Sequence, residues 1–332
     1  MNTPCRIPFA CLVLCAGVSA CSSAPITVEF TGDGSTATST GGSSGGPSCR
    51  GLAATCGPSR NDDCCKSLLV PGGTFYRGYD GVDLVDPSYP ATVAEFYLDK
   101  YEITVGRFRQ FVKAGMGTQD SPPAPGAGAH PLIPGSGWDS KWTAFLPWIT
   151  AGLIANLKCN STYQTWTDTA AGNETRPINC LDWFTAAAFC AWDGGRLATA
   201  AEWNYAAAGG SEQRYYPWSN PPTSTTVDDS YAVYCGGSCS HTQNVGVKSP
   251  KGDGKWGHSD LGGNVWEWVL DGNATYANPC DNCADLVAEP YRLLWGGSFD
   301  GSATGSFSAQ SLGEFPERQF FGFGARCART SP

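Results

Sequence analysis

Cysteine content is the feature that most restricts how this chain can fold. The sequence has 332 residues and 16 cysteines, of which twelve lie between residues 49 and 327. In an exported chain an even set of this size is most simply a framework of disulfide bonds. Such a framework requires delivery to an oxidising compartment, and it would make the fold depend on covalent links as well as on a core.

The N-terminus has the layout of a secretory signal. Arg6 is its only charged residue, and the apolar run over residues 7–17 is too short to span a bilayer comfortably. The run ends at Val18-Ser19-Ala20-Cys21, which resembles the bacterial lipobox. We therefore expect a lipoprotein signal peptide over residues 1–20, with Cys21 as the lipidation site.

Two other outcomes are open for this segment, namely an ordinary signal peptide cut after Ala20 and an uncleaved anchor. Ser22 rather than an aspartate follows Cys21. By resemblance to Gram-negative lipoproteins, this favours the outer membrane. The expected location is therefore the bacterial envelope, and the lipid is the expected contact with the membrane.

A Ser-, Thr- and Gly-rich segment, residues 21–48, follows and predicts a flexible tether. Residues 49–65 then carry four closely spaced cysteines and predict a disulfide-stapled cap. Two further spacings, Cys235-x3-Cys239 and Cys280-x2-Cys283, could alternatively hold zinc as four thiolates. An oxidising compartment favours disulfides over that alternative.

Charge and composition narrow the function. Charged residues are 15% of the chain and the net charge is −9, which does not suit a nucleic-acid partner. The 42 glycines, 23 prolines and 12 tryptophans indicate many turns, rigid loops and large aromatic core residues. We expect a loop-rich domain with little regular secondary structure.

Helix signals are clear at three places. Runs typical of a helix follow Thr104 and Asp182, whose side chains can cap a helix start, and a third such run begins near Thr199. Residues 68–78 predict a short strand, a turn and a second strand. Polar and apolar residues alternate over residues 95–103, which predicts a half-buried strand. A structural role explains the residues of all these elements, and none of them requires a functional explanation.

Residues 117–175 are rich in Pro, Gly and Trp, with weak periodicity. Long structured loops often carry binding specificity. Trp138, Trp142 and Trp166 in this insert suit two roles equally, as core residues or as a surface that binds sugar or peptide. We take them as a candidate binding surface.

The stretch Ser259-Asp260-Leu261-Gly262-Gly263-Asn264-Val265-Trp266-Glu267-Trp268 is unusually dense in glycine, indole and oxygen-bearing side chains. A tight turn that gathers a carboxylate, an amide and backbone carbonyls can bind a hard cation such as calcium. A turn capped by Asn264 beside a Trp-lined core explains the same residues without a metal.

A series of motifs carries a resemblance to a known family. In chain order they are Pro71-Gly72-Gly73-Thr74-Phe75, Tyr101-Glu102-Ile103-Thr104, Arg196-Leu197-Ala198-Thr199-Ala200-Ala201-Glu202-Trp203, Tyr216-Pro217-Trp218, Gly263-Asn264-Val265-Trp266-Glu267-Trp268, Gly296-Gly297-Ser298-Phe299 and Gly322-Phe323-Gly324-Ala325-Arg326-Cys327. From about residue 66 to its end, the chain resembles the formylglycine-generating enzymes, or sulfatase-modifying factors. The resemblance implies one domain over residues 66–332, with a compact α+β fold of low regular structure related to C-type lectins.

The resemblance also implies particular residues. Matching the family motif places one structural calcium at Asp260, Gly263, Val265 and Glu267. The second calcium site of the family is not expected, because the segment before the motif is short and contains Cys235 and Cys239. The family further implies a disulfide between Cys190 and Cys327.

At the positions that correspond to the family's reaction centre, this sequence differs from the family. Active members hold copper(I) with two cysteines, and those positions here are Gly301 and Ser306, which offer no thiolate for this soft ion. Copper is therefore not expected. Ser298 matches a serine near the family's reaction centre, and we include it in the candidate binding surface. A role as a turn residue explains it equally well.

Three functions remain from the sequence. The favoured one is a surface-tethered, non-catalytic domain that binds an unidentified peptide, protein or glycan. The alternative is an oxidoreductase that modifies a protein cysteine through a non-standard site, using Cys235 and Cys239 or Cys280 and Cys283. A scaffold of the envelope without a specific ligand is the third.

Overall fold

The architecture comes from a computed structural model, which describes residues 45–236, 241–273, 275–287 and 290–330. The predicted signal peptide, Cys21 and residues 22–44 of the predicted tether lie outside the described residues. The described residues group into one compact unit. Within the described ranges, no helix is both long and apolar enough to cross a membrane.

The regular elements are short and widely spaced. In chain order they are β1 (Ser67–Val70), β2 (Gly73–Tyr76), β3 (Pro90–Val93), β4 (Phe96–Asp99), α1 (Val105–Lys113), α2 (Thr150–Asn156), α3 (Trp183–Trp192), β5 (Arg196–Leu197), α4 (Ala200–Ala207), β6 (Trp266–Gly272), β7 (Cys280–Asp281), β8 (Arg292–Trp295), β9 (Ser311–Glu314), β10 (Phe323–Gly324) and β11 (Cys327–Arg329). The prediction of an α+β domain with low regular structure is confirmed.

Three small sheets form the scaffold. Their strand orders are β1-β4-β11-β5, β10-β6-β8-β9 and β2-β3-β7. Strand β11, near the C-terminus, lies between β4 and β5 and pairs antiparallel with both. The last residues of the domain are therefore held between elements from its first half and its middle.

The predicted helix starts are confirmed at all three positions. The side chains of Thr104 and Asp182 accept hydrogen bonds from backbone amides in the first turns of α1 and α3. Thr199 and Glu202 form a reciprocal capping box at the start of α4. These local contacts satisfy amides that have no partner within a helix.

The predicted tether ends earlier than the sequence indicated. Ser48 is fully buried, its amide donates to Asp193 Oδ1 at 2.9 Å, and its hydroxyl accepts from Arg107 Nε at 3.1 Å. Arg107 and Arg329 each contact the carboxylates of Asp99 and Asp193. Because this buried ion cluster needs further polar partners, it draws Ser48 into the fold.

Disulfides account for cysteines throughout the described chain. The bonded pairs are Cys49–Cys65, Cys56–Cys64, Cys159–Cys180, Cys190–Cys327 and Cys280–Cys283. The pairing of Cys190 with Cys327 is the one that the family resemblance implies. Cys235 is also disulfide-bonded, whereas Cys239 lies outside the described residues.

The alternative of a zinc site made from four thiolates is wrong. Cys280 and Cys283 are bonded to each other, and Cys235 is in a disulfide as well. A disulfide sulfur has no thiolate charge with which to bind zinc. In the bonded state, Cys235, Cys280 and Cys283 likewise offer no thiolate to copper.

The tryptophans of the insert belong to the core. Trp138 and Trp166 are each only 3% exposed, and the half-buried Trp142 packs edge-on against Trp138 and Trp183. Together they do not form an exposed binding surface, so this prediction is corrected. The spacing of aromatic residues could not decide between the two roles, because both place large rings at irregular intervals.

Candidate functional site

The stretch Ser259–Trp268 forms a corner that fixes the segment expected to carry the reaction centre. Asp260, Gly263 and Asn264 have positive φ angles, so the backbone turns sharply before β6. The amide of Gly263 donates to the carbonyl of Gly296 at 2.6 Å. The amide of Phe299 donates to the carbonyl of Asn264 at 3.0 Å. The two glycine-rich motifs are thus bonded to each other through their backbones.

Glu267 is the anchor of this corner. Its carboxylate, fully buried, accepts two hydrogen bonds from Arg326, at 2.7 Å from Nε and 2.6 Å from Nη2. It also accepts one from Trp203 Nε1 at 2.7 Å. Arg326 in turn donates to the carbonyls of Asp99, Lys100 and Ser259. Through these hydrogen bonds, Glu267 links β6 to α4 and to the C-terminal segment.

Glu102 is a further buried carboxylate to which the sequence alone gave only a structural role. It accepts from the amide of Val265 at 3.1 Å and from Asn264 Nδ2 at 2.7 Å. Burial, and then the nearby charges of Asp260 and Glu267, raise the pKa of Glu102 well above its usual range. The motif Tyr101-Glu102-Ile103-Thr104 was the signal that could have placed it here.

Asp260 is the third buried carboxylate at this corner, after Glu267 and Glu102. It is 6% exposed, and one of its carboxylate oxygens accepts from the amide of Gly246 at 2.5 Å. Burial is the main cause that raises the pKa of Asp260 to about 6, with Asp253 and Glu267 contributing. Three buried carboxylates, Glu102, Asp260 and Glu267, therefore face one arginine, Arg326.

This surplus of buried carboxyl groups over cations would suit a cation of the calcium type. The donors at the predicted positions are the carboxylates of Asp260 and Glu267 and the carbonyls of Gly263 and Val265, all hard oxygens of the kind calcium prefers. Across the described ranges, no group of three or more His, Cys, Asp or Glu side chains is arranged to hold a metal. A calcium ion here would therefore depend on the two carbonyls as well.

The positions of the missing cysteines differ in exposure. Ser306 is 1% exposed, and its hydroxyl has no hydrogen-bond partner within the described residues. Gly301 is half-buried, and its carbonyl accepts from the amide of Cys235 at 2.7 Å. Only the Gly301 side of the former centre is therefore partly open, with the loop that contains Cys235 beside it.

Ser298 does not face solvent. It is 2% exposed, and its hydroxyl donates to Asp300 Oδ1 at 2.5 Å. Gly297 precedes it with a φ of 75°. A Cβ on Gly297 would lie 2.7 Å from the backbone carbon of Gly305. These contacts support the role of a turn residue and remove Ser298 from the candidate binding surface.

A cavity of about 270 Å³ lies beside the loop that contains Cys235. Its lining comprises Asp229, Ala232, Val233, Tyr234, Gly236, Gln243 and Lys248. The amide of Gln243 donates to Asn264 Oδ1 at 3.0 Å, and the amide of Asn264 donates to the carbonyl of Val233 at 2.8 Å. The corner described above therefore also supports the wall of this cavity, which we call the loop groove.

Comparisons with known proteins give one family. The model of the sulfatase-modifying factor enzyme 1-like domain matches residues 53–331. The formylglycine-generating enzyme of Thermomonospora curvata is 29% identical over an alignment of 219 residues that covers 61% of this chain and 70% of that protein. The inactive C-alpha-formylglycine-generating enzyme 2 of Mus musculus is 26% identical over 304 residues, covering 79% of this chain and 85% of that protein.

Solved structures show the same fold. PvdO from Pseudomonas aeruginosa superposes with a TM-score of 0.55 at 20% identity, covering 80% of this chain and 94% of that one. Treponema denticola variable protein 1 gives a TM-score of 0.52 at 18% identity, with the same two coverages. At these identities the likeness concerns the fold alone.

Proposed function

Because the chain belongs to the sulfatase-modifying factor family, whose copper ligands it lacks, we propose that it is a non-catalytic member that binds a peptide in the loop groove. The observation that carries the proposal is the state of the former reaction centre. Neither Gly301 nor Ser306 offers a thiolate, and Ser306 is buried. The similarity to an inactive formylglycine-generating enzyme 2 supports the same conclusion.

The loop groove is the better supported binding surface for a peptide. Two of its lining residues, Tyr234 and Gly236, flank Cys235, whose amide donates to the carbonyl of Gly301. The lining combines an aromatic ring, an amide and two opposite charges. An extended peptide presents backbone donors and acceptors that such a lining can match. Trp138 and Trp166 of the insert are core residues and offer no surface for a peptide.

Peptide selection against the full chain tests the groove. We expect Tyr234→Ala or Gln243→Ala to weaken binding of a selected peptide by at least about tenfold, because each removes a wall of the groove. The matched control is Trp148→Ala, which truncates a ring that is 72% exposed in the insert. Loss of binding with Trp148→Ala, and not with the groove variants, would contradict the proposal.

Oxygen consumption tests the absence of catalysis. Unreduced protein supplied with copper(I) and a cysteine-containing peptide should consume no oxygen above background. A Gly301→Cys, Ser306→Cys double variant should gain copper(I) binding, because thiolates suit this soft ion. Room exists for the first change, since a Cβ on Gly301 would meet its nearest neighbour at 3.4 Å. Substrate-dependent uptake by the unchanged protein would rule out the non-catalytic role.

We also propose one structural calcium ion at Asp260, Gly263, Val265 and Glu267. Its support is the surplus of buried carboxylates around Arg326 and the oxygen donors at these positions. When bound, the ion would supply positive charge and cross-link the corner. It would thereby hold the two glycine-rich motifs and the groove wall in place.

Thermal unfolding with and without calcium tests this site. Calcium at a hundred times its Kd should stabilise the protein by about 2.7 kcal/mol relative to chelator, a shift of several degrees in Tm. Asp260→Asn should abolish this shift. In chelator the same variant should be at least as stable as the unchanged protein, because it removes a buried negative charge. An equal calcium response in both proteins would argue against the site.

For location, we propose that Cys21 carries lipid and holds the domain at the outer membrane. The support is the lipobox-like tetrapeptide in the sequence and the disulfides of the folded part, which suit an oxidising compartment. Metabolic labelling with a fatty acid should mark the chain, and Cys21→Ser should remove the label. Label retained by that variant would refute lipidation at this residue.

A further inference from the structure

The Cys280–Cys283 disulfide contributes less to chain restriction than the other described bridges. Its cysteines are separated by 3 positions, against 137 for Cys190 and Cys327. In the chain-entropy account, a bridge stabilises less as the loop that it closes becomes shorter. A bridge this small therefore contributes little as a staple. Its surroundings indicate a chemical role instead.

The two sulfurs of this bridge differ in accessibility. Cys280 lies in β7, pairs with Ala91 of β3 and is 2% exposed. Cys283 is half-buried and lines a cavity of about 180 Å³. A molecule that enters the cavity therefore meets the sulfur of Cys283, while Cys280 stays behind it.

Arg77 places a cation at the accessible sulfur. Its Nη1 lies 3.6 Å from Cys283 Sγ. The guanidinium is held by the carbonyl of Ala277 and lies over the ring of Tyr276, 4.6 Å from its centroid. Arg77 is 5% exposed, and its Nε has no hydrogen-bond partner within the described part of the chain. A buried cation beside a sulfur stabilises the thiolate over the thiol.

A proton acceptor lines the same cavity. Asp271 accepts hydrogen bonds from the amides of Ala200 and Asp285, which fix its carboxylate. Burial raises the pKa of Asp271 to about 7. Asp285 also lines the cavity, and its Oδ2 is buried without a partner among the described residues. The cavity thus combines a disulfide, a cation and carboxylates.

We propose that Cys280 and Cys283 form a redox-active pair that exchanges its disulfide with a dithiol entering this cavity. One thiol of the dithiol ionises, its thiolate attacks Cys283 Sγ, and a mixed disulfide forms. Cys280 leaves as a thiolate and takes up the proton that the attacking thiol released. The second thiol of the partner passes its proton to Asp271 and attacks the partner's own sulfur. Cys283 then leaves as a thiolate beside Arg77, and the partner is oxidised to a disulfide.

The exchange goes beyond the proposed binding function and uses a different part of the molecule. The cavity at Cys283 and the loop groove share no lining residue. Two electrons pass from the dithiol to the protein, so no metal and no oxygen are needed. Loss of either activity by mutation would leave the other testable.

Selective reduction tests the proposal on the full chain. Protein is exposed to dithiothreitol or to a peptide carrying two cysteines, quenched with an alkylating reagent and analysed by mass spectrometry. We expect Cys280 and Cys283 to be labelled at least about ten times faster than Cys56 and Cys64, a bridge with a comparably short loop. Reaction with dithiothreitol alone would restrict the partner to small dithiols and overturn a protein substrate. Labelling no faster than the control bridge would overturn the proposal.

The pH dependence of alkylation supplies a second test, first on the unchanged protein and then on variants of Arg77. Once the pair is reduced, Cys283 should react with a pKa clearly below the ordinary cysteine value of about 8.5. Arg77→Gln should raise that pKa and slow reduction, Arg77→Lys should restore part of both, and Arg318→Gln on the surface should change neither. An ordinary thiol pKa at Cys283 in the unchanged protein would refute the role of Arg77.

Discussion

Replacing Arg326 by leucine is expected to lower the free energy of unfolding by about 3–5 kcal/mol, as is typical when one partner of a buried ion pair is removed. The change leaves Glu267 without its paired donor and leaves Glu102 and Asp260 without a nearby cation. It also removes donors from the carbonyls of Lys100 and Ser259. Urea denaturation in calcium-free buffer near neutral pH measures the loss.

The loss of unfolding free energy caused by Arg326→Leu should be smaller in mildly acidic buffer than near neutral pH. The pKa of Asp260 is raised to about 6 in the folded protein, whereas an unfolded aspartate titrates near 3.8. The folded state therefore binds more protons between these values, and its stability rises as pH falls through about 6. Protonation removes buried charge that Arg326 would otherwise balance. A variant that is equally destabilised at both pH values would contradict this account.

Arg318→Leu is the matched control for Arg326→Leu. Arg318 forms an exposed ion pair with Glu314, and such pairs contribute about 0–1 kcal/mol. Arg326→Lys keeps the charge but not the planar pair of donors, so it should recover only part of the stability. A cost for Arg326→Leu no larger than that for Arg318→Leu would show that the cluster does not hold the corner together.

Removing the Cys190–Cys327 disulfide has the second large expected effect. In the chain-entropy model, a bridge across a separation of 137 residues contributes about 5 kcal/mol. Both cysteines are fully buried, between α3 and β11. The Cys190→Ala, Cys327→Ala double variant should therefore lose about 5 kcal/mol, a large share of the stability of an ordinary domain. Denaturation of both proteins under non-reducing conditions measures this.

The Cys280→Ala, Cys283→Ala double variant is the control for loop length. The same model gives about 2 kcal/mol for a bridge that closes so few residues. The two double variants therefore separate a bridge that stabilises the fold from the one proposed for exchange. Equal losses in both would contradict the entropic explanation for Cys190 and Cys327.

Together these residues show how the fold holds the glycine-rich segment around Ser298 without cysteines at positions 301 and 306. The Arg326 cluster and the backbone bonds between Gly263 and Gly296 keep the glycine-rich segment in place. The segment does not need thiolates to fold, since Ser306 is buried in the position of one of them. The proposed binding role therefore requires no thiolate at positions 301 and 306.

Local sequence was sufficient for the features that short-range contacts decide. Thr104, Asp182 and Thr199 begin helices because their side chains bond amides three residues further along, and that spacing is visible in the sequence. The order of motifs likewise predicted the family and the α+β fold. By resemblance, it also placed Gly301 and Ser306 where the family has its copper-binding cysteines.

Only the tertiary structure decided which residues separated in sequence share one environment. Trp138 and Trp166 were compatible with a surface until packing placed them in the core, because burial depends on what the rest of the chain covers. Arg77 and Cys283 are 206 positions apart, and their contact leaves no local trace in the sequence. The balance of three buried carboxylates against Arg326 is decided in the same way, since charge interactions follow distance in space rather than along the chain.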